Sequence, residues 1–134
     1  MTVAVQSFSY RHGLPAGVEG FVFDCRGLPN PHDEPSLREL TGRDEPVRAF
    51  MAAHAEEVRD FLLAVRQLVQ QAIRAGERAG RERLAVSFGC VGGRHRSVYC
   101  AEAFAEFLRA CEDVDVELVH VRLGQQEKET CRSS

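Results

Sequence analysis

Apolar and polar residues alternate from Val3 to Tyr10 (VAVQSFSY), and a second apolar run, GFVFDC, extends from Gly20 to Cys25 after the turn-forming Gly13-Leu14-Pro15-Ala16-Gly17. Both patterns predict strands. From Arg26 to Asp44 the chain carries three of its five prolines among acidic and amide residues. Prolines at that density exclude regular structure over most of the segment, which reads as a long loop of the functional or mobile kind. Asp44 is placed to cap a helix and Pro46 suits its first turn; Val47, Phe50, Met51, Val58, Phe61, Leu62, Val65, Leu68, Val69 and Ile73 then recur at helical spacing. The pattern predicts one long amphipathic helix ending near Gly76 to Gly80. His54 falls on or beside its apolar stripe, where a buried, hydrogen-bonded histidine is the expectation rather than a ligand.

Leu84 to Phe88 (LAVSF) is short and almost wholly apolar, as expected of a strand covered on both faces. It runs straight into Gly89-Cys90-Val91-Gly92-Gly93-Arg94-His95-Arg96-Ser97. From Val98 to Cys111, Glu102, Glu106 and Arg109 form one narrow polar stripe on an otherwise apolar helix, predicted to be largely buried. Val114 to Leu123 alternates as a last strand, and residues 124–134 are polar and expected to fray. The order of strands and helices predicts a single α/β layered domain with a mixed or mainly parallel sheet and an ordered core over about residues 3–123.

A chain of 134 residues has room for one hydrophobic core. A mean hydropathy of -0.25, with 44% hydrophobic and 28% charged residues, is that of a globular protein. No apolar run is long enough to span a bilayer and the N-terminus lacks the pattern of a secretory signal, so a cytoplasmic location is expected, with no membrane partner. Five cysteines (Cys25, Cys90, Cys100, Cys111 and Cys131), an odd number with no Cys-x-x-Cys pair, predict free thiols and no metal site. A net charge of -3 argues against sequence-blind binding to nucleic acid. Of the 17 basic residues only Lys128 is a lysine, and the guanidinium fork suits phosphate and carboxylate.

The chemistry concentrates in the turn after the third strand. Glycines allow close approach of a ligand to main-chain N–H groups, the helix start adds donors and a positive dipole end, and Arg94, His95 and Arg96 add charge-assisted bonds. Together with Val91, Gly92, Gly93 and Ser97 these residues read as an anion cradle. Without a Gly-Lys-Ser/Thr ending it is not an ATP-hydrolysing P-loop. Cys90 and Arg96 are also spaced Cys-x-x-Gly-x-x-Arg-Ser, the local spacing of cysteine-dependent phosphatases, in which a thiolate attacks phosphorus. Gly89 stands where those enzymes usually carry a histidine, and Asp24, Asp33 or Glu34 could act as acid only if the Pro-rich loop folds over the cradle. A second constellation, Asp24 to Asp33, begins at the end of the second strand, where ligands collect in open α/β sheets. There Arg26, Asn30 and His32 could donate to a sugar or a second phosphate oxygen, or Asp24 and Arg26 could simply pair.

Three ordered motifs, FDCRGLPNPH, LRELTGRDEPV and GCVGGRHRSVYCAE, resemble the C-terminal domain of the RapZ family, bacterial proteins that adapt small RNAs to RNase E and sense glucosamine 6-phosphate. The first motif matches the family pattern at Asp24, Arg26, Leu28, Pro29, Asn30, Pro31 and His32, the second at Leu40, Thr41, Gly42, Asp44, Pro46 and Val47, and the third at Gly89, Cys90, Gly92, Gly93, His95, Arg96, Ser97 and Val98. The resemblance runs from about Ser7 to Leu123. It implies a sugar-phosphate-binding α/β fold whose metabolite touches His32, Gly92, Gly93, His95 and Arg96, with Asp24, Arg26 and Asn30 nearby, and a protein that self-associates. Nucleotide binding, which belongs to the family's N-terminal P-loop domain, is not implied. The family's ligand-contacting threonine is Val91 here, and its basic RNA-contacting end reads His120-Val121-Arg122-Leu123-Gly124 followed by QQEKETCRSS. The leading expectation is a non-catalytic sensor or adaptor for a small phosphorylated ligand such as an amino-sugar phosphate, held by Arg94, His95, Arg96 and the Gly92-Gly93 amides and needing no cofactor. A phosphatase using Cys90 and Arg96 is the alternative, and an RNA-binding adaptor with a protein partner a third.

Overall fold

The computed structural model describes residues 1–15, 20–123 and 131–132, the last two as main chain only. Strands β1 (Thr2–Ser9), β2 (Gly20–Asp24), β3 (Arg83–Cys90) and β4 (Asp115–His120) form a parallel sheet, and the two-residue β5 (Cys131–Arg132) pairs antiparallel with β4. The spatial order is β2-β3-β1-β4-β5. Helices α1 (Glu45–Ala53) and α2 (Ala55–Arg78) join β2 to β3, and α3 (Arg96–Cys111) joins β3 to β4 across β1. The predicted α/β layered domain with a mainly parallel sheet is therefore what forms. The expected fraying of residues 124–134 falls largely outside the described residues.

The predicted single helix is two. The hydrophobic stripe continues through Val47, Met51, Val58, Leu62, Val65, Val69 and Ile73, all buried, but the main chain breaks at His54 (φ -102°, ψ 40°). His54 is exposed, against the expectation of burial, and its ring lies 4.8 Å from that of Phe50. Leu68 is exposed as well. Asp44 precedes α1 as expected, but its carboxylate accepts from the N–H of Thr41 at 2.7 Å instead of capping the helix.

Coverage of the sheet also departs from expectation. Register places Val3, Val5, Leu84, Val86, Phe88, Val116 and Leu118 on one face. Phe104 of α3 meets Phe88 there, Phe61 of α2 meets Phe23, and α1 packs on both helices. The opposite face carries the half-buried Ala4, Gln6, Ala85, Glu117 and Val119. Ser87 is buried there by Gln6, whose amide donates to its hydroxyl at 2.9 Å. Among the described residues helices thus cover one face, and β3 looks apolar because it is central, with strands on both sides.

At the other end of the buried face, Ser7 Oγ lies 2.7 Å from His120 Nδ1 and Glu102 Oε1 2.8 Å from His120 Nε2, with Arg43 on the same carboxylate at 3.2 Å. This network ties β1, β4 and α3 together and satisfies a fully buried imidazole. The bonds to His120, with the nearby charge of Arg43, hold the Glu102 carboxyl below its ordinary value against the opposing effect of burial. Cys25, Cys90 and Cys100 are buried free thiols and Cys111 is an exposed one.

Candidate anion-binding site

Parallel strands bring their carboxyl ends to one edge. Ser9 pairs with Cys90 and Asp24 with Gly89, so the segments following β1, β2 and β3 leave the sheet side by side. Between them lies a cavity of about 500 Å³. Arg11 lines it from the turn after β1; Asn30, His32, Arg38 and Glu39 come from the Pro-rich loop; Cys90, Val91, Gly92, Arg94, His95 and Arg96 come from the glycine-rich turn. Four arginines and one acidic residue, Glu39, are thus among the described residues lining a concave site, a balance of charge that favours an anion.

The Pro-rich loop is ordered by the turn it faces. Its prolines support only single-turn helices at Pro31–Asp33 and Pro35–Leu37, so most of its carbonyls have no partner within the loop. Arg94 donates from Nε to Leu40 O (3.1 Å) and from Nη2 to Glu39 O (2.6 Å), and His95 Nε2 donates to Leu37 O (3.0 Å). Arg96 Nη1 bridges Arg26 O (2.6 Å) and Leu28 O (3.1 Å). The N–H of Gly42 returns a bond to Arg94 O at 2.9 Å, and a Cβ at Gly42 would collide with His95 O and Tyr99 N. Three adjacent basic residues therefore coexist because each is held by loop carbonyls, a role sequence reasoning did not assign them. Burial holds His95 below the ordinary histidine pKa against the opposing carbonyl bonds, with Arg94 and His32 adding to the depression.

The clamp leaves donors over. Arg94 Nη1 and Arg96 Nε and Nη2 meet no acceptor among the described residues, and Arg96 is only 5% exposed. Nor do the main-chain N–H groups of Val91, Gly92, Gly93, Arg94, His95 and Arg96. Six consecutive donors without acceptors, where α3 begins, form the arrangement that binds phosphate in other α/β folds. The turn needs glycine at position 93: its φ is 67°, and a Cβ there would lie 2.8 Å from Arg122 Cγ and 2.9 Å from Ser9 N.

Of the residues expected in the site, the structure brings together Asn30, His32, Val91, Gly92, Arg94, His95 and Arg96, with Cys90 beside them. Asp24 and Arg26 take the simpler course and pair, Arg26 Nε and Nη2 donating to the carboxylate at 2.8–3.1 Å while the guanidinium stacks 3.9 Å from the centre of the Tyr10 ring. Neither lines the cavity. Gly93 and Ser97 are buried behind it, shaping the turn and the helix start. Arg11, Arg38 and Glu39 were missed; the one available signal was that the residues after a central parallel strand, and the far end of the loop, must reach the same edge.

A family model described as the RapZ C-terminal domain matches residues 1–124. The chain belongs to the RapZ C-terminal domain family. Among curated relatives, the RNase adapter proteins RapZ of Yersinia pseudotuberculosis serotype O:1b (strain IP 31758) and Yersinia pestis bv. Antiqua (strain Angola) are each 44% identical over 110 residues, and that of Serratia proteamaculans (strain 568) is 43% identical over the same length. Each alignment covers 82% of this chain and 38% of the relative. The chain therefore spans well under half the length of the RapZ proteins it matches. Among the described residues of this RapZ domain no helix is long and apolar enough to cross a membrane.

Proposed function

We propose that this RapZ C-terminal domain receives a small phosphorylated metabolite, an amino-sugar phosphate, in the cavity at the carboxyl edge of the sheet. It would then act as a metabolite-dependent adaptor toward a macromolecular partner. The observation that carries this reading is the run of six main-chain N–H groups that, like the spare donors of Arg94 and Arg96 beside them, meet no acceptor among the described residues. A phosphate monoester would satisfy them with charge-assisted bonds. His32 and Asn30, which line the same cavity, would meet sugar hydroxyls. Among the described lining residues Glu39 carries the one carboxylate, and it would favour an ammonium on the ligand. Val91 faces the cavity with a side chain that offers no hydrogen bond.

Titration calorimetry with glucosamine 6-phosphate, glucose 6-phosphate and inorganic phosphate tests this. The amino sugar should bind at least about tenfold more tightly than glucose 6-phosphate, the ratio expected of one charge-assisted contact. Glu39→Gln should remove that preference while leaving phosphate binding intact. Absence of binding by all three at millimolar concentration would refute the reading. The relatives are named RNase adapter proteins, and a nuclease partner, a bound RNA and self-association of the domain are carried here as parts of the same proposal. Titrating RNA at two salt concentrations, with and without the sugar phosphate, separates a shared site from a separate one.

A further inference from the structure

We propose that Cys90 accepts the phosphoryl group of a phosphate monoester bound in this cavity, so that the domain hydrolyses its ligand; this rests on the phosphate site proposed above. The reactive groups converge in one short segment. Five residues separate Cys90 from Arg96, and Ser97 follows directly. Cys90 Sγ receives the N–H of Ser97 at 3.4 Å and lies 3.1 Å from Ser97 Oγ, which can rotate its proton toward sulfur once the thiol has lost its own. Although only 3% exposed, Cys90 borders the cavity. A buried thiol alone would be inert. The second observation is Arg96, itself 95% withdrawn from solvent, bordering the same cavity next to six amides; among the described residues neither its Nε and Nη2 nor those amides meet an acceptor. Donors of that kind stabilise the spread negative charge of a transferring phosphoryl group, and the one thiol among the cavity's described lining residues is that of Cys90.

The chemistry balances with water as the second substrate. Cys90 releases its proton to solvent; Sγ attacks phosphorus, and the ester P–O bond breaks with its electron pair leaving on the sugar oxygen. That oxygen takes a proton from protonated His32, which lines the cavity beside His95 at 6.3 Å between ring centroids. Water, deprotonated by the now neutral His32, then attacks the phosphocysteine. The S–P bond breaks, its electron pair returns to sulfur, and inorganic phosphate leaves.

Phosphate release is measured from 4-nitrophenyl phosphate and from glucosamine 6-phosphate, beside calorimetric binding of the latter. Cys90→Ser should lower turnover at least about a hundredfold with binding retained, whereas Cys111→Ser, at an exposed thiol, should change nothing. His32→Gln should slow S–P bond formation with the sugar phosphate but spare the first-turnover burst of 4-nitrophenolate from 4-nitrophenyl phosphate, whose leaving group needs no proton, and should slow hydrolysis of the phosphocysteine with both substrates. Should Cys90→Ser fail to fold, acid-quenched mass spectrometry of the parent protein must find the phosphoryl group on the Cys90 peptide. Binding without turnover, or turnover that survives Cys90→Ser, overturns the inference and leaves the ligand reading standing; loss of both binding and turnover in the parent removes both.

Discussion

Replacing Arg96 with glutamine tests its hold on the Pro-rich loop. The guanidinium bridges two carbonyls, Arg26 O at 2.6 Å and Leu28 O at 3.1 Å, from a site 5% exposed. Hydrogen bonds from a charged donor are worth about 1.5–3 kcal/mol each. Arg26 is exposed and Leu28 half-buried, so water recovers part of the loss at both carbonyls. With the second bond longer, the cost should be about 2–3 kcal/mol in all, below the sum of two full bonds. For a domain of this size a kcal/mol corresponds to about 4 °C in Tm, so a fall of about 8–12 °C is expected by calorimetric or circular-dichroism melting. Arg96→Lys, a point charge unable to span both carbonyls at once, should fall between. Both variants should also lose affinity for phosphate, because the loop carrying His32 and Glu39 is released with the clamp. A melting point within about 2 °C of the parent would refute the clamp, since losing two charged bonds from a buried site cannot be that small.

Gly93→Ala must adopt φ near 67° and pushes a methyl against Arg122 and the main chain of Ser9. It should cost about 2–3 kcal/mol in urea unfolding and weaken phosphate binding, whereas Gly92→Ala, with open space around it, should be mild in stability. Acid should destabilise the domain in two stages. His95 is held below its ordinary 6.5 by burial, so the unfolded chain takes up its proton first. Stability from this residue is complete above that pH and is lost as the pH falls toward the lower folded value; His95→Gln should flatten this stage in denaturant melts taken across pH. Glu102, held low first by its bond to His120, contributes stability above its unfolded value of 4.5 that persists further into acid, and Glu102→Gln should remove the second stage.

Much of this architecture is written locally. Alternation and apolar runs mark β1 to β4 to within two or three residues at each end, because a side chain's face in a strand depends only on its parity. The glycine-rich turn was legible for a similar reason: close approach to the main chain at glycines and free N–H groups at a helix start follow from residue type and position, whereas the positive φ at Gly93 in particular appears only in the structure. The break at His54 was not, since the apolar stripe runs unbroken through it and hydrophobic spacing records which side faces the core without recording whether the helix axis stays straight. Nor was the one-sided covering of the sheet, because a central strand is apolar through its neighbours as much as through its layers.

The basic trio shows the division most clearly. Composition at positions 94 to 96 announced strong donors beside a helix start, which is a local property. Their acceptors, the carbonyls of residues 26, 28, 37, 39 and 40, lie more than fifty residues away, and no periodicity links two segments that meet only after the sheet has assembled. The same holds for Arg11, Arg38 and Glu39 in the cavity wall. Sequence alone determined which elements form and where an anion would find donors. The parallel register, by bringing three carboxyl-end loops to one edge, decided which donors are occupied by the protein itself and which have no acceptor among the described residues.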